Sequence, residues 1–172
     1  MVILNRLRGP RLWGVAVLAV IALAGLGCGS GGDSGATGSS EPVSVTTNSD
    51  LTKAELIAQG DKICEKTDKT QEKELKAYLQ KNPEAESNPD GQKKMVLTAG
   101  IPPIQTEVEE LAALGSPAGD EDEITAIVSG IEEAVEKGEE DPASLVSGSK
   151  NPFAAVDKLA GEYGFKACNN AL

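Results

Sequence analysis

The sequence has no histidine, and beyond residue 27 it also has no arginine and no tryptophan. Histidine is the usual general acid or base near neutral pH and the commonest metal ligand. Arginine supplies the planar, bidentate group that clamps phosphate or carboxylate. A Gly-x-Ser-x-Gly motif, a Cys-x-x-Cys pair and a Gly-x-x-x-x-Gly-Lys phosphate loop are absent as well. The sequence therefore predicts no catalytic residue, no metal ligand and no cofactor.

Basic residues are few. The chain carries 27 acidic and 16 basic residues, for a net charge of −11. Three of the basic residues are arginines within the first 11 positions, so the chain beyond residue 27 has 13 lysines and a net charge of −14. Such a chain repels phosphate backbones and anionic lipid headgroups, which are bound by clustered lysine and arginine. We therefore predict no nucleic-acid partner.

Aromatic residues are also scarce, with four beyond residue 27: Tyr78, Phe153, Tyr163 and Phe165. Tyr163 and Phe165 flank a glycine near the C-terminus and could line an aromatic pocket. The alternative is that they fill the core, which is the role that we expect for them.

The N-terminus has the layout of a secretory signal peptide. Arg6, Arg8 and Arg11 precede an uncharged stretch of 16 residues, positions 12–27. This stretch is shorter than the roughly 20 residues that a permanent membrane-spanning helix needs. No two arginines are adjacent, which favours the general secretory route over the twin-arginine route. We predict a signal peptide over residues 1–27.

The apolar stretch ends at a cysteine, in the order Gly25-Leu26-Gly27-Cys28. This segment resembles a bacterial lipobox, although Gly25 stands where that family usually has leucine. The resemblance implies that Cys28 receives a diacylglyceryl group and holds the protein on the extracytoplasmic face of the cell membrane. Two acyl chains are enough for stable anchoring. The alternatives are an ordinary signal peptide with an incidental cysteine, or an uncleaved anchor.

The remainder divides into a tether and a domain. Residues 28–50 comprise Cys28 and a segment rich in glycine, serine and threonine, which cannot bury enough apolar surface to fold. We interpret them as a flexible spacer between the membrane and the domain. Residues 51–172 have the length of a normal single domain.

The domain has helical periodicity throughout and no strand-like alternation, which predicts an all-α fold. Thr52 and Glu55 have the spacing of a capping box. We predict helices over about residues 53–80, 91–114, 120–138 and 151–164, the second interrupted at Ile101-Pro102-Pro103. The fold class is a bundle of four helices, or five if these prolines split the second. Its apolar stripes are Leu56, Ile63, Leu75, Tyr78 and Leu79; Ile104, Val108, Leu111 and Leu114; Ile124, Ile127, Val128, Ile131 and Val135; and Phe153, Val156, Leu159 and Ala160.

Two runs of acidic residues are candidates for a binding site. Residues 120–123 read Asp-Glu-Asp-Glu, but a calcium loop needs alternating acids and a glycine at its sixth position, where this chain has Thr125. We interpret the run as acids that stabilise a helix N-terminus. The second run, residues 139–141 before Pro142, is interpreted as a solvated turn.

The two cysteines that remain after Cys28 are Cys64, near the start of the domain, and Cys168, near its end. Disulfides persist in exported proteins, so we predict one bond between them. The alternative is two buried, reduced cysteines.

The domain also resembles a group of small actinobacterial lipoproteins with one cysteine near each end of a helical domain. The resemblance is carried by residues 51–64, by the Ile101-Pro-Pro segment and by residues 163–168. It implies fold and location but no activity.

From these observations we expect a lipid-anchored, non-enzymatic binding module. Its ligand would be an envelope protein, an envelope polymer or a small apolar molecule. The alternatives are a carboxylate-dependent cell-wall hydrolase and a carrier of an apolar small molecule.

Overall fold

The computed structural model describes residues 44–147 and 150–169, which are almost entirely helical. No strand occurs among these residues beyond one isolated bridge, so the all-α prediction is confirmed. The predicted signal peptide, Cys28 and the tether up to residue 43 lie outside the described residues. In the described part of the chain, no helix is both long enough and apolar enough to cross a membrane.

Helix α1 spans Lys53–Lys81 and begins with the predicted capping box. The backbone N–H of Glu55 donates to the Thr52 hydroxyl at 3.3 Å, and the Thr52 N–H donates to the Glu55 carboxylate at 3.0 Å. These two bonds satisfy N–H groups that a helix start leaves without partners. The helix ends at Asn82, and the proline that follows begins a 3₁₀ turn, Pro83–Ser87.

The second predicted helix is not broken at its prolines. Helix α2, Pro89–Met95, continues through a π-helical turn, Val96–Gly100, into α3, Ile101–Leu114. The Ile101 N–H donates to the Val96 carbonyl, five residues back. This wider turn makes room for Pro102 and Pro103, whose rings would clash with the preceding turn of a regular α-helix. The sequence located the irregularity correctly but predicted an interruption where the backbone stays helical.

Helix α3 ends at Gly115, as predicted, with φ at +74°. Helix α4 follows as Glu121–Glu140, then a short α5, Pro142–Ser147, and α6, Ala154–Tyr163. Two predicted boundaries were wrong. Gly138 lies inside α4, where its missing side chain leaves room for Leu145 of α5. Helix α6 begins three residues after Asn151, because the Asn151 side chain accepts from the Phe153 N–H in a preceding turn.

The predicted stripes of α3, α4 and α6 form most of the core, whereas in α1 only Leu56 of the predicted stripe is buried. Ile63 is half-buried against the core, and Leu75, Tyr78 and Leu79 are half-buried outside it. Helix α3 packs against both α1 and α4, and α6 packs against α4. All five stripe residues of α4 are buried, as are Ile104, Val108 and Leu111 of α3. Burying such side chains contributes roughly 1.5–3 kcal/mol each. Leu159 departs from the prediction, because it is 43% exposed whereas its stripe partners Val156 and Ala160 are buried.

The end of the predicted tether is bound to the domain. The Ser116 N–H donates to the Thr46 carbonyl at 2.9 Å, and the Asn48 N–H donates to the Ser116 carbonyl at 2.7 Å. The Asn48 side chain adds a bond to the carbonyl of Leu114 at 3.2 Å. Hydrogen-bonded structure therefore begins before the predicted boundary at residue 51. Backbone hydrogen bonds hold most of this segment, together with the Asn48 side chain and the packing of Val45 on the core, which is why its low apolar content did not reveal it.

The C-terminal tail is fixed to α1. Cys64 and Cys168 form the predicted disulfide, with Cα atoms 5.2 Å apart. The Asp61 carboxylate accepts from the backbone N–H groups of Lys166 and Ala167, at 2.8 and 2.9 Å. A Cβ atom at Gly60 would lie 2.5 Å from the buried Phe165 ring, so only glycine lets the ring lie against the helix here. The bond therefore joins surfaces that already fit each other.

We expect Cys64→Ser and Cys168→Ser each to lower the melting temperature by about 10–20 °C. The two cysteines are 104 residues apart, and closing a loop of that size stabilises the folded state by roughly 4–5 kcal/mol in the chain-entropy model. Because both variants remove the same bond, the double variant should melt close to either single variant. Differential scanning calorimetry measures this. Two reactive thiols in the unreduced, unfolded protein would contradict the bond.

Candidate functional site

An open groove lies where the start of α1, the start of α4 and the end of α6 meet. Its volume is about 480 Å³, within the usual range of ligand-binding clefts. The residues that line it are Lys53, Asp122, Glu123, Ala126, Ile127, Leu159, Glu162 and Tyr163. The groove thus combines apolar and charged side chains from three separate parts of the chain.

Leu159 gives the groove an exposed apolar surface. Its neighbours in the groove include Ile127, which is buried, and Ala126, which is exposed. Leu159 lies at the edge of the α6 stripe, so its side chain faces the groove and not the core between α4 and α6. An exposed leucine alone is ordinary, but one within a formed groove offers a contact surface for a ligand.

Tyr163 forms one wall of the groove and is held from several sides. Its hydroxyl donates to the Asp120 carboxylate at 2.6 Å. Its ring lies 5.4 Å from that of Phe165, between centroids, and the Lys53 ammonium is 3.8 Å from the Tyr163 centroid. Burial, with the hydrogen bond to Asp120, raises the pKa of Tyr163 further above its ordinary value. The phenol therefore stays protonated, and both aromatic residues belong to the core as expected, with Tyr163 also bordering the groove.

The acidic run 120–123 is dispersed rather than gathered around one point. Asp120 accepts from Tyr163, whereas Glu121 accepts from the Gly119 N–H at 2.7 Å and from the Thr47 hydroxyl at 3.1 Å. Asp122 and Glu123 are exposed at the groove. Among the described residues, no group of three or more acids or cysteines is arranged to hold a metal ion.

The second acidic run also has a different structure from the predicted one. Glu139 and Glu140 are the last residues of α4 and not part of a turn. They are exposed, and Glu139 accepts a hydrogen bond from Gln105 of α3 at 3.0 Å.

A buried carboxyl group, Glu107, lies away from the groove. It is 5% exposed and projects from α3 toward Thr67 of α1, which hydrogen-bonds it. Burial raises the pKa of Glu107 to about 7, and the nearby carboxylates of Asp68, Asp157 and Glu110 act in the same direction. Glu107 was not among the residues predicted from the sequence. Its position could have indicated burial, because Glu107 stands between Ile104 and Leu111 on the apolar stripe of α3.

The position of Glu107 bears on the hydrolase alternative. A catalytic acid must reach its substrate, but Glu107 is not among the residues that line the groove. A small cavity of about 90 Å³ lies between α1 and α3. The residues that line it are Lys66, Thr67, Thr70, Pro103, Thr106 and Glu110, and not Glu107. The arrangement can hold a proton inside the bundle but offers no room for a sugar polymer.

Comparison with known proteins gives no functional assignment. No protein-family model, no curated protein and no solved structure matches the chain.

Glu107→Gln should stabilise the protein above pH 7 and reduce its pH dependence. The folded protein binds more protons than the unfolded chain between pH 4.5, the ordinary pKa, and about 7. The stability contributed by the neutral acid is therefore complete below pH 4.5 and is lost as the pH rises to about 7. The free energy of unfolding falls by roughly 3 kcal/mol over this range. Glutamine resembles the neutral acid and does not ionise, so the variant keeps this stability at higher pH.

Urea unfolding from pH 4 to pH 8 measures this difference. Glu109→Gln, an exposed position on the same helix, is the matched control and should follow the wild-type profile. Parallel profiles for wild type and Glu107→Gln would show that the buried group does not titrate as described.

Proposed function

We propose that this protein is a lipid-anchored binding module of the cell envelope, whose ligand surface is the groove beside Tyr163. The observation that carries the proposal is Leu159, 43% exposed within a formed groove and bordered by charged side chains. The exposed part of this leucine adds no stability to the isolated domain, but it would contribute affinity when a partner covers it.

The shape of the groove favours a partner's surface over a carried molecule. A carrier encloses most of its ligand, because small-molecule sites bury the larger part of the ligand surface. This groove is open along the sides of three helices, so it fits side chains presented by another protein. A hydrolase is disfavoured because Glu107, an acid whose pKa is raised to about 7, is enclosed in the bundle.

Location in the envelope is supported by the sequence. The uncharged stretch before Cys28 and the glycine- and serine-rich segment after it have the order of a lipoprotein precursor. A disulfide-bonded domain also fits an exported protein, because disulfides are rare in the reducing cytosol.

Cys28→Ala should abolish lipid attachment. The thiol of Cys28 would be the acceptor, and the other two cysteines are joined to each other. Metabolic labelling with an alkyne fatty acid should mark the wild type and not the variant. Cys64→Ser with Cys168→Ser is the control, since it changes the other cysteines and should retain label. Absence of label from the wild type would contradict the anchoring proposal.

Leu159→Gln should remove the groove's binding partner. Glutamine keeps the length and helix propensity of leucine but replaces its apolar end by an amide. Photo-crosslinking in cells from a site on the groove edge, at Ala126, should give an adduct that disappears in Leu159→Gln. Leu97→Gln is the matched control, because Leu97 is similarly exposed at 40% but does not line the groove. An adduct unchanged by Leu159→Gln would reject the groove as the binding surface.

A further inference from the structure

We propose that the groove binds a basic peptide segment of a partner protein, placing a lysine or arginine on the ring of Tyr163 and a neighbouring apolar side chain on Leu159. The proposal rests on the groove being the binding surface and adds the chemistry of the partner. It commits to a protein ligand, with the cation as its recognised feature.

The ring of Tyr163 already accommodates a cation. The Lys53 ammonium lies 3.8 Å from the ring centroid, within the distance at which an ammonium is attracted by an aromatic face. Lys53 is exposed and forms no ion pair with any described residue. It is therefore a weakly held occupant, and a ligand cation can take its place while Lys53 turns into solvent.

Several carboxylates lie in the same groove as this ring. Asp122, Glu123 and Glu162 line the groove, against the single positive charge of Lys53. Glu162 is 3.6 Å from Lys158, but both side chains are well exposed, and exposed pairs of this kind are weak. An anionic ligand would be repelled by this surface, whereas a basic segment gains charge complementarity.

The hydroxyl of Tyr163 adds to this arrangement. Its bond to Asp120 fixes the ring and keeps another carboxylate at the ring edge. A cation on the ring therefore meets both an aromatic face and acidic side chains.

The apolar part of the groove explains why a peptide fits better than a bare cation. Leu159 and Tyr163 are four residues apart on α6, so their side chains lie on the same side of the helix. A basic residue on Tyr163 brings its neighbours in sequence over Leu159 and Ala126. Contacts at both places give a peptide an affinity that a free ammonium ion lacks.

The test uses the full-length, disulfide-bonded protein in neutral detergent and a set of short probes. The basic probe is acetyl-Gly-Leu-Lys-Leu-Gly-amide, and its neutral control has norleucine in place of lysine. n-Butylammonium supplies the cation without a peptide. Dissociation constants are measured by NMR titration at low and high salt. We expect the lysine peptide to bind about threefold to tenfold more tightly than the norleucine peptide, as a cation–aromatic contact implies, with the difference falling as salt is added.

Lys53→Ala is the decisive variant. Removing the resident cation frees the ring, so the lysine peptide should bind about threefold more tightly, while the norleucine peptide changes little. Lys73→Ala, an exposed lysine on the same helix away from the groove, is the control and should change neither. Tyr163→Phe keeps the ring and should bind within about twofold of wild type, whereas Tyr163→Leu should lose the preference for lysine.

Equal affinities for the lysine and norleucine peptides, or weaker lysine-peptide binding to Lys53→Ala, would overturn the proposal. Equal affinities for n-butylammonium and the lysine peptide would overturn the choice of a peptide ligand. If Leu159→Gln still abolishes the cellular adduct while the peptides show no preference, the groove remains the binding surface and only the partner chemistry is wrong. If the adduct is unaffected by Leu159→Gln, the groove itself is rejected.

Discussion

The junction between α1 and the C-terminal tail is the constraint on which the groove depends. The disulfide at Cys64, the Asp61 carboxylate and the space at Gly60 together hold residues 165–168 against the helix. Tyr163 lies two residues before this segment and is thereby brought to the start of α1, where Lys53 reaches its ring. The same junction that closes the chain into one domain therefore also builds one wall of the candidate site. The disulfide, which contributes to stability, therefore also helps to set the geometry of the candidate site.

The fold was largely predictable because its determinants are local. The capping box at Thr52, the apolar stripe of α4 and the glycine after α3 each act within a few residues, and each has the structure that the sequence indicated. The differences arise where a distant group decides. Gly138 has the residue type of a helix end, but α5 packs against it and the helix continues. The segment before residue 51 has a disordered composition, yet the backbone of Ser116 holds it.

The candidate site was not predictable in the same way, since its parts are far apart in sequence. Lys53 and Tyr163 lie at opposite ends of the domain, and nothing in their spacing announces a contact. Leu159 was assigned to the core because periodicity places a residue on a face but cannot tell the centre of that face from its edge. The net charge was informative about which partners are unfavourable, but not about where a binding surface lies. It predicts no anionic partner, whereas only the structure shows which acids lie in the groove with Tyr163.

Helix α1 shows how one element serves several purposes along its length. Its first turn contributes Lys53 to the groove, and the next two turns carry Gly60 and Cys64 at the junction. Residues 65–74 of this helix are all polar, yet Thr67 is buried there against Glu107. An apolar residue in place of Glu107 would remove the cost of burying the acid, so the presence of this carboxyl group is not explained by stability alone. Glu107 is buried beside Thr67 of α1, whereas the groove is lined by residues of α1, α4 and α6. Glu107 lies on α3, which contributes no residue to the groove, so we expect a substitution at Glu107 to leave the contacts of the groove in place.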